Sequence, residues 1–349
     1  MSAVRWIVAF GLCVGLSSAL DCVQVPDSNI LPGHSATIPA GANETVEIQP
    51  NFNCIYYIKV PPMVYAHVRL ENGLKGGNDM ITVYDEQGIR TQISSRSSPV
   101  QDFYVFPNTT TTFQVVTKSV NMHSAFRLVI FYQKMLNPSV TILGNTLKYF
   151  VLNNLQVNTY KTPQTMTSSE GIVLTIARSG WEYDKFENFF VVEGDFQNPK
   201  YVYRMNQFVD YSYFSGTNLT VVGLDNSVSE SSVIFTPFSQ YKQFDEYTGI
   251  TTYFEANQFK IDSTSGRKQK KAVTVISMSD YVMFLDVQKS SDPNCSLKAV
   301  EAPPTNSSQV LLDFSTFNTY PRNITRKSFS IVAENCAATF RMVSPSNDN

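Results

Sequence analysis

Side chains able to do acid–base chemistry are few in this chain of 349 residues. There are three histidines, His34, His67 and His123, all in its first half. Nucleophilic catalysis needs a base beside a nucleophile and a third group that orients the base. None of the three histidines stands in such a setting. There is no G-x-S-x-G, no H-E-x-x-H and no glycine-rich phosphate loop. His67 shares the outward face of its segment with Arg69 and Glu71, which reads as a solvated surface position. The sequence therefore assigns no catalytic residue and points away from an enzyme. A hydrolase whose triad is assembled from distant loops is kept as an alternative.

The cysteines offer a second chemistry. Cys13 lies in an apolar N-terminal leader, which leaves Cys22, Cys54, Cys295 and Cys336. None shows the C-x-x-C spacing that zinc sites favour. An even number in an oxidising compartment points to two disulfides. Four cysteines allow three connectivities, and the two near pairs, Cys22 with Cys54 and Cys295 with Cys336, are the expected ones. Each would contribute on the order of 3–4 kcal/mol through loop closure.

Acceptor triplets for N-glycosylation occur at Asn43, Asn108, Asn218, Asn294, Asn306 and Asn323. Asn294 is set aside because its middle residue is Cys295. The other five are expected to carry glycans and so to lie on the surface. A basic run, Arg267-Lys268-Gln269-Lys270-Lys271, would meet an anionic surface through salt-sensitive attraction. Its simpler reading is a solvated hairpin tip. Tyr211, Tyr213 and Phe214 could stack on sugar rings, although strand aromatics belong more often to a core.

The surrounding chain sets the compartment. Residues 1–19 combine one cation, Arg5, with an apolar run and the small residues Ser17-Ser18-Ala19. This is the pattern of a secretory signal peptide, with cleavage expected after Ala19. No later run is long and apolar enough to cross a membrane, and the polar C-terminus lacks the hydrophobic tail of a glycolipid anchor. The chain is expected to be secreted, with peripheral attachment to a cell surface left open. A net charge of −2 supplies no field to attract nucleic acid. Only 16% of residues are charged, so glycans would aid solubility.

Apolar residues alternate. Cys54, Tyr56, Ile58 and Val60 share one face, as do Ala66, Val68 and Leu70. Period two over four to seven residues, bounded by Gly, Pro, Asn and Ser, marks half-buried strands. No convincing helix of three turns is present. The expected fold is all-β, as tandem jelly-roll-like β-sandwiches. The chain divides into residues 20–134, residues 135–242 and residues 243–349. The segment 134–138 is read as a linker, because Pro138 lacks a ladder donor. The second and third units could form one larger domain.

Residues 22–133 carry an ordered set of features. Cys22 is followed by Ile38-Pro39-Ala40-Gly41, then by Cys54-Ile55-Tyr56-Tyr57-Ile58-Lys59-Val60-Pro61. Next come Asn78-Asp79, an apolar strand and Asp85-Glu86-Gln87-Gly88, and the run ends in the strand Phe126 to Tyr132. In order and spacing this resembles the CUB-like domain family, a group of secreted nematode proteins. The second unit is read as a diverged copy through the run 184–194. The resemblance implies a sandwich used for extracellular recognition, with a role in innate immune or stress responses. Its partner would be an extracellular protein or glycan. It also implies a metal question. Many CUB domains hold calcium through a Glu, an Asp eight residues later and a distal Asp. Glu71 and Asp79 have that spacing across a glycine-bearing loop, but the distal loop 118–123 contains no acid. Two carboxylates alone would hold a hard cation weakly. A structural matrix or surface-coat protein is the competing class.

Overall fold

The computed structural model describes residues 20–155, 162–180, 186–225, 229–265, 269–317 and 319–345. The expected signal peptide at 1–19 and residues 266–268, with Arg267 and Lys268 of the basic run, therefore lie outside the described residues, as do Asp184 and Lys185 of the run read as a diverged copy. Strands make up 51% of the structure and helices 5%. No described helix is long and apolar enough to cross a membrane.

The first unit is a sandwich of nine strands. They are β1 (Ser35–Ile38), β2 (Val46–Glu47), β3 (Asn53–Lys59), β4 (Val64–Gly73), β5 (Met80–Tyr84), β6 (Arg90–Ile93), β7 (Val100–Val105), β8 (Thr110–Val116) and β9 (Ala125–Lys134). One sheet runs β1-β9-β4-β7, with β2 also on β9, and the other runs β3-β8-β5-β6. Alternation decides the facing. In β3 every second residue is buried, and Cys54, Tyr56 and Ile58 meet Val68, Leu70 and Leu128 between the sheets. Such alternate burial on two antiparallel sheets is how a sandwich closes its core.

Central strands of the second unit bury both faces. In Phe189–Gly194, Phe189 and Val191 enter the unit's own core, while Phe190 and Val192 point the other way. There they meet Tyr65, Phe106 and Met135 of the first unit. The 134–138 segment is therefore no free linker. Lys134 closes β9, and Met135 is fully buried in the joint between the units. Burying that much apolar side chain stabilises a fixed joint over a hinge.

Two separate cores lie beyond the joint, one on each side of residue 242. A single nine-stranded sheet nevertheless crosses that point. Ile172–Arg178 pairs in parallel with Glu246–Thr252, which pairs in parallel with Lys270–Ser277. Asn257–Asp262 instead pairs with Ala337–Val343 in a four-stranded sheet. The strands on either side of the basic run, Asn257–Asp262 and Lys270–Ser277, thus belong to different sheets. Sulfur pairing follows the near spacing: Cys22 bonds Cys54 and Cys295 bonds Cys336.

Candidate functional site

A concavity with chemical character opens where the first sandwich meets the second unit, a cleft of about 380 Å³ (a volume suited to a small ligand or one long side chain). One wall is the turn that joins β5 to β6. Asp85 shapes it: its Oδ1 accepts the backbone N–H of Gln87 at 3.0 Å and of Ile89 at 2.8 Å. Gly88 takes φ +77°, a backbone region that other residues enter only at a cost.

The second unit supplies Arg204, at the end of Pro199–Arg204. Its Nε lies 3.2 Å from Asp85 Oδ2 and its Nη2 lies 3.0 Å from Glu86 Oε2. The same group donates to the Glu187 carbonyl at 2.9 Å and the Tyr104 carbonyl at 3.2 Å, and it stacks 4.9 Å over the Phe190 ring. A planar guanidinium can satisfy that many directions at once. Burial pushes the Glu86 carboxyl above its usual range, and Arg204 opposes this only in part.

Asp102 stands at the mouth. His67 Nε2 lies 2.7 Å from Asp102 Oδ1, although the residue directly across the ladder from Asp102 is Arg69. The imidazole stacks on Tyr104 at 4.8 Å and leans on Phe131 at 5.8 Å. The position read as solvated is thus held between two rings and a carboxylate. Among the described residues this bond to Asp102 is the one polar contact of His67. No nucleophile completes a catalytic set there. Deeper in, Thr111 is 2% exposed and its Oγ1 has no hydrogen-bond partner. A buried hydroxyl left unmatched calls for an explanation.

The structure separates the other histidines. His34 lies in the turn before β1, and His123 pairs with Glu47.

Glu71 and Asp79 are committed elsewhere. Glu71 Oε1 lies 3.1 Å from Arg127 Nη2. Asp79 is 1% exposed. Its Oδ1 accepts the N–H groups of Lys118 at 2.8 Å and Ser119 at 3.0 Å, and its Oδ2 accepts the Ser124 hydroxyl at 2.6 Å. Burial pushes the Asp79 carboxyl up, but the bonds from Ser124, Lys118 and Ser119 outweigh it and hold it below the usual value near 3.8. The loops close so tightly that a Cβ on Gly76 would stand 2.3 Å from Asp79 Oδ2 and 2.0 Å from Ser119 Oγ. Calcium does not fit this donor set. Hard cations need free oxygens, whereas Asp79 is occupied by protein donors and Glu71 faces a guanidinium. Among the described residues no three His, Cys, Asp or Glu side chains are grouped to hold a metal.

The remaining candidates divide. Asn43, Asn108, Asn218, Asn306 and Asn323 are all exposed, as is Asn294. Lys271 Nζ lies 3.0 Å from Glu246, and Lys270 Nζ lies 3.1 Å from Asn306 Oδ1. Tyr213 is half-buried and donates to Glu193 at 2.7 Å, whereas Tyr211 and Phe214 lie on the surface.

Comparison with known proteins bears on the first unit. Residues 17–136 match the CUB-like domain. No curated protein sequence matches the chain. The fold is similar to the CUB1-EGF-CUB2 domain of human MASP-1/3, at 9% identity over 58% of this chain and 99% of that one, with a TM-score of 0.22. It is also similar to the CUB1-EGF-CUB2 domains of rat MASP-1, at 10% identity over 92% of this chain and 99% of that one, with a TM-score of 0.24. The full extracellular region of zebrafish Gpr126/Adgrg6 is similar at 8% identity, over 95% of this chain and 53% of that one, with a TM-score of 0.26. Likeness at this level says nothing about activity or partners. The CUB-like domain is typically an extracellular binding module, and nothing in these comparisons carries a catalytic family. The cleft lies on this domain's Asp85-x-x-Gly88 turn. Asp102, Arg204 and Thr111 were not singled out by sequence reasoning. Their partners are remote in the chain, and only the cross-strand neighbourhood of His67 could have hinted at Asp102.

Proposed function

We propose that the chain is a secreted glycoprotein that recognises extracellular, cell or microbial surfaces in host defence. The observation that carries the reading is the cleft at the joint. It has a wall fixed by the Asp85 turn, a buried hydroxyl without a partner at Thr111 and no catalytic constellation among the described residues. A fixed, partly apolar concavity with a few convergent polar groups is the geometry of a binding site. Two disulfides suit an oxidising, extracellular setting. The host-defence role rests on the resemblance of the first unit to the nematode CUB-like family.

The test is co-sedimentation of the secreted full chain with bacteria, yeast and immobilised glycans, in calcium and in chelator. Saturable, competable binding supports recognition. Absence of binding to every surface overturns it and favours a structural matrix protein.

A further inference from the structure

The ligand class can be read from the charge and shape of the joint cleft. Asp85, Asp102 and Glu187 line it, and Glu86 lies behind its wall. Against these four carboxylates stand the guanidinium of Arg204 and, across the ladder from Asp102, that of Arg69. Arg204 is already shared by Asp85 and Glu86. His67 adds a positive charge only when protonated. Among the described residues no cation pairs with the carboxylate of Glu187, and the side chain of Asp102 is 49% exposed. An anionic ligand would meet net repulsion here, and a cation would meet attraction.

A second observation is independent of charge. Thr111 Oγ1 is buried, lacks a partner and lines the same cleft. A hydroxyl offers two lone pairs to an incoming N–H donor. Leaving it unmatched is unfavourable, and a ligand donor would remove that cost. Beside it, Val83, Ile89 and Phe103 form apolar wall. Carboxylates set beside an apolar wall suit a group with an alkyl stem and a charged head, since such side chains bury the stem and keep the head in polar surroundings.

We propose that this cleft binds a primary ammonium group carried on an alkyl chain. Its stem lies along Ile89 and Phe103, and its N–H donors reach Asp102, Glu187 and Thr111. The inference rests on the binding reading above. The group can come from a lysine side chain of a partner protein or from a free polyamine. None of the cleft residues is Glu71 or Asp79, so binding needs no metal.

The test uses the secreted full chain and isothermal titration with spermidine and with Nα-acetyl-lysinamide. The Nζ-acetylated lysinamide serves as the neutral control. The expected result is saturable binding of at least one amine, none of the acetylated control, and weakening as salt is raised. Asp102→Asn with Glu187→Gln should weaken binding at least tenfold. Thr111→Val should weaken it severalfold without lowering the melting temperature. Binding of lysinamide alone assigns the group to a protein partner, and binding of spermidine alone assigns it to a polyamine. Equal binding of the acetylated control, or unchanged affinity in the double variant, overturns the proposal. A chain that sediments with surfaces but ignores both amines refutes the ligand class and leaves the recognition reading standing. A chain that binds neither refutes both.

Discussion

Arg204 and Asp85 meet across the joint, Nε to Oδ2 at 3.2 Å, with side chains only 14% and 13% exposed. Glu86, 2% exposed, completes the clamp. Buried pairs of this kind are weak evidence for stability as a pair, but removing one member strands the other charge. Arg204→Met should therefore cost about 3–5 kcal/mol, read as a lower urea midpoint. Glu86→Gln in the same chain should recover part of it, since it removes one stranded charge.

Asp79 acts as a peg between loops. Asp79→Asn weakens its acceptor role toward Lys118, Ser119 and Ser124 and should cost about 1–3 kcal/mol. Excess chelator should leave the wild-type melting temperature unmoved. A drop of several degrees on chelation would show that a cation holds these loops after all.

The same carboxyl sets an acid limit. Its folded value lies below its unfolded value near 3.8. The folded state therefore gains stability from Asp79 above pH 3.8, and that gain is lost as pH falls through the lower folded value. Glu86 works in the opposite sense. Its folded value is raised, so its contribution is present at low pH and is lost as pH rises through that value. The stability gap between wild type and Asp79→Asn should narrow as pH falls below the unfolded value near 3.8. A gap that stays constant in urea titrations would remove the ionised Asp79 from the account.

Each disulfide closes a loop, with partners 32 residues apart for Cys22–Cys54 and 41 for Cys295–Cys336. Replacing both cysteines of either pair by serine should cost about 4 kcal/mol by chain entropy. Equilibrium unfolding of the double variants measures it.

All five expected glycan sites are exposed. Peptide N-glycosidase should lower the mass of the secreted chain, and Asn306→Gln should remove one step of that shift. A mass unchanged by the enzyme would refute the glycoprotein reading.

The first unit was readable because several of its strands, such as Asn53–Lys59 and Thr110–Val116, bury one face. Cys54, Tyr56 and Ile58 announce a core side, and Ile55 and Tyr57 a solvent side. Phe189 to Val192 shows no such alternation. Both of its faces are covered, one by its own core and one by the first unit, so the period vanishes from the run. The same holds for Ile172–Arg178, buried along six consecutive residues. An unbroken apolar run reveals burial without naming the neighbour. That is why the sheet that crosses residue 242 left no mark in the sequence. The candidate site was hidden for a related reason: Arg204 stands 118 residues from Glu86, and nothing local ties them. The turn Asp85 to Gly88 was legible as a motif, but its grip on Arg204 was not.

The parallel pairing of Ile172–Arg178 with Glu246–Thr252 also governs the order of events at the ribosome. When Ala177 emerges, its partner Gly249 has yet to be made, and at about 5–20 residues per second it follows only after several seconds. Glu246–Thr252 then waits again for Lys270–Ser277, which in turn waits for Ser328–Glu334. The nascent chain therefore carries an unclosed strand edge until synthesis is nearly complete, and such edges recruit strands from other chains. Folding chaperones that meet the nascent chain should accordingly stay bound to this protein until its last strands appear, long after the first sandwich has closed.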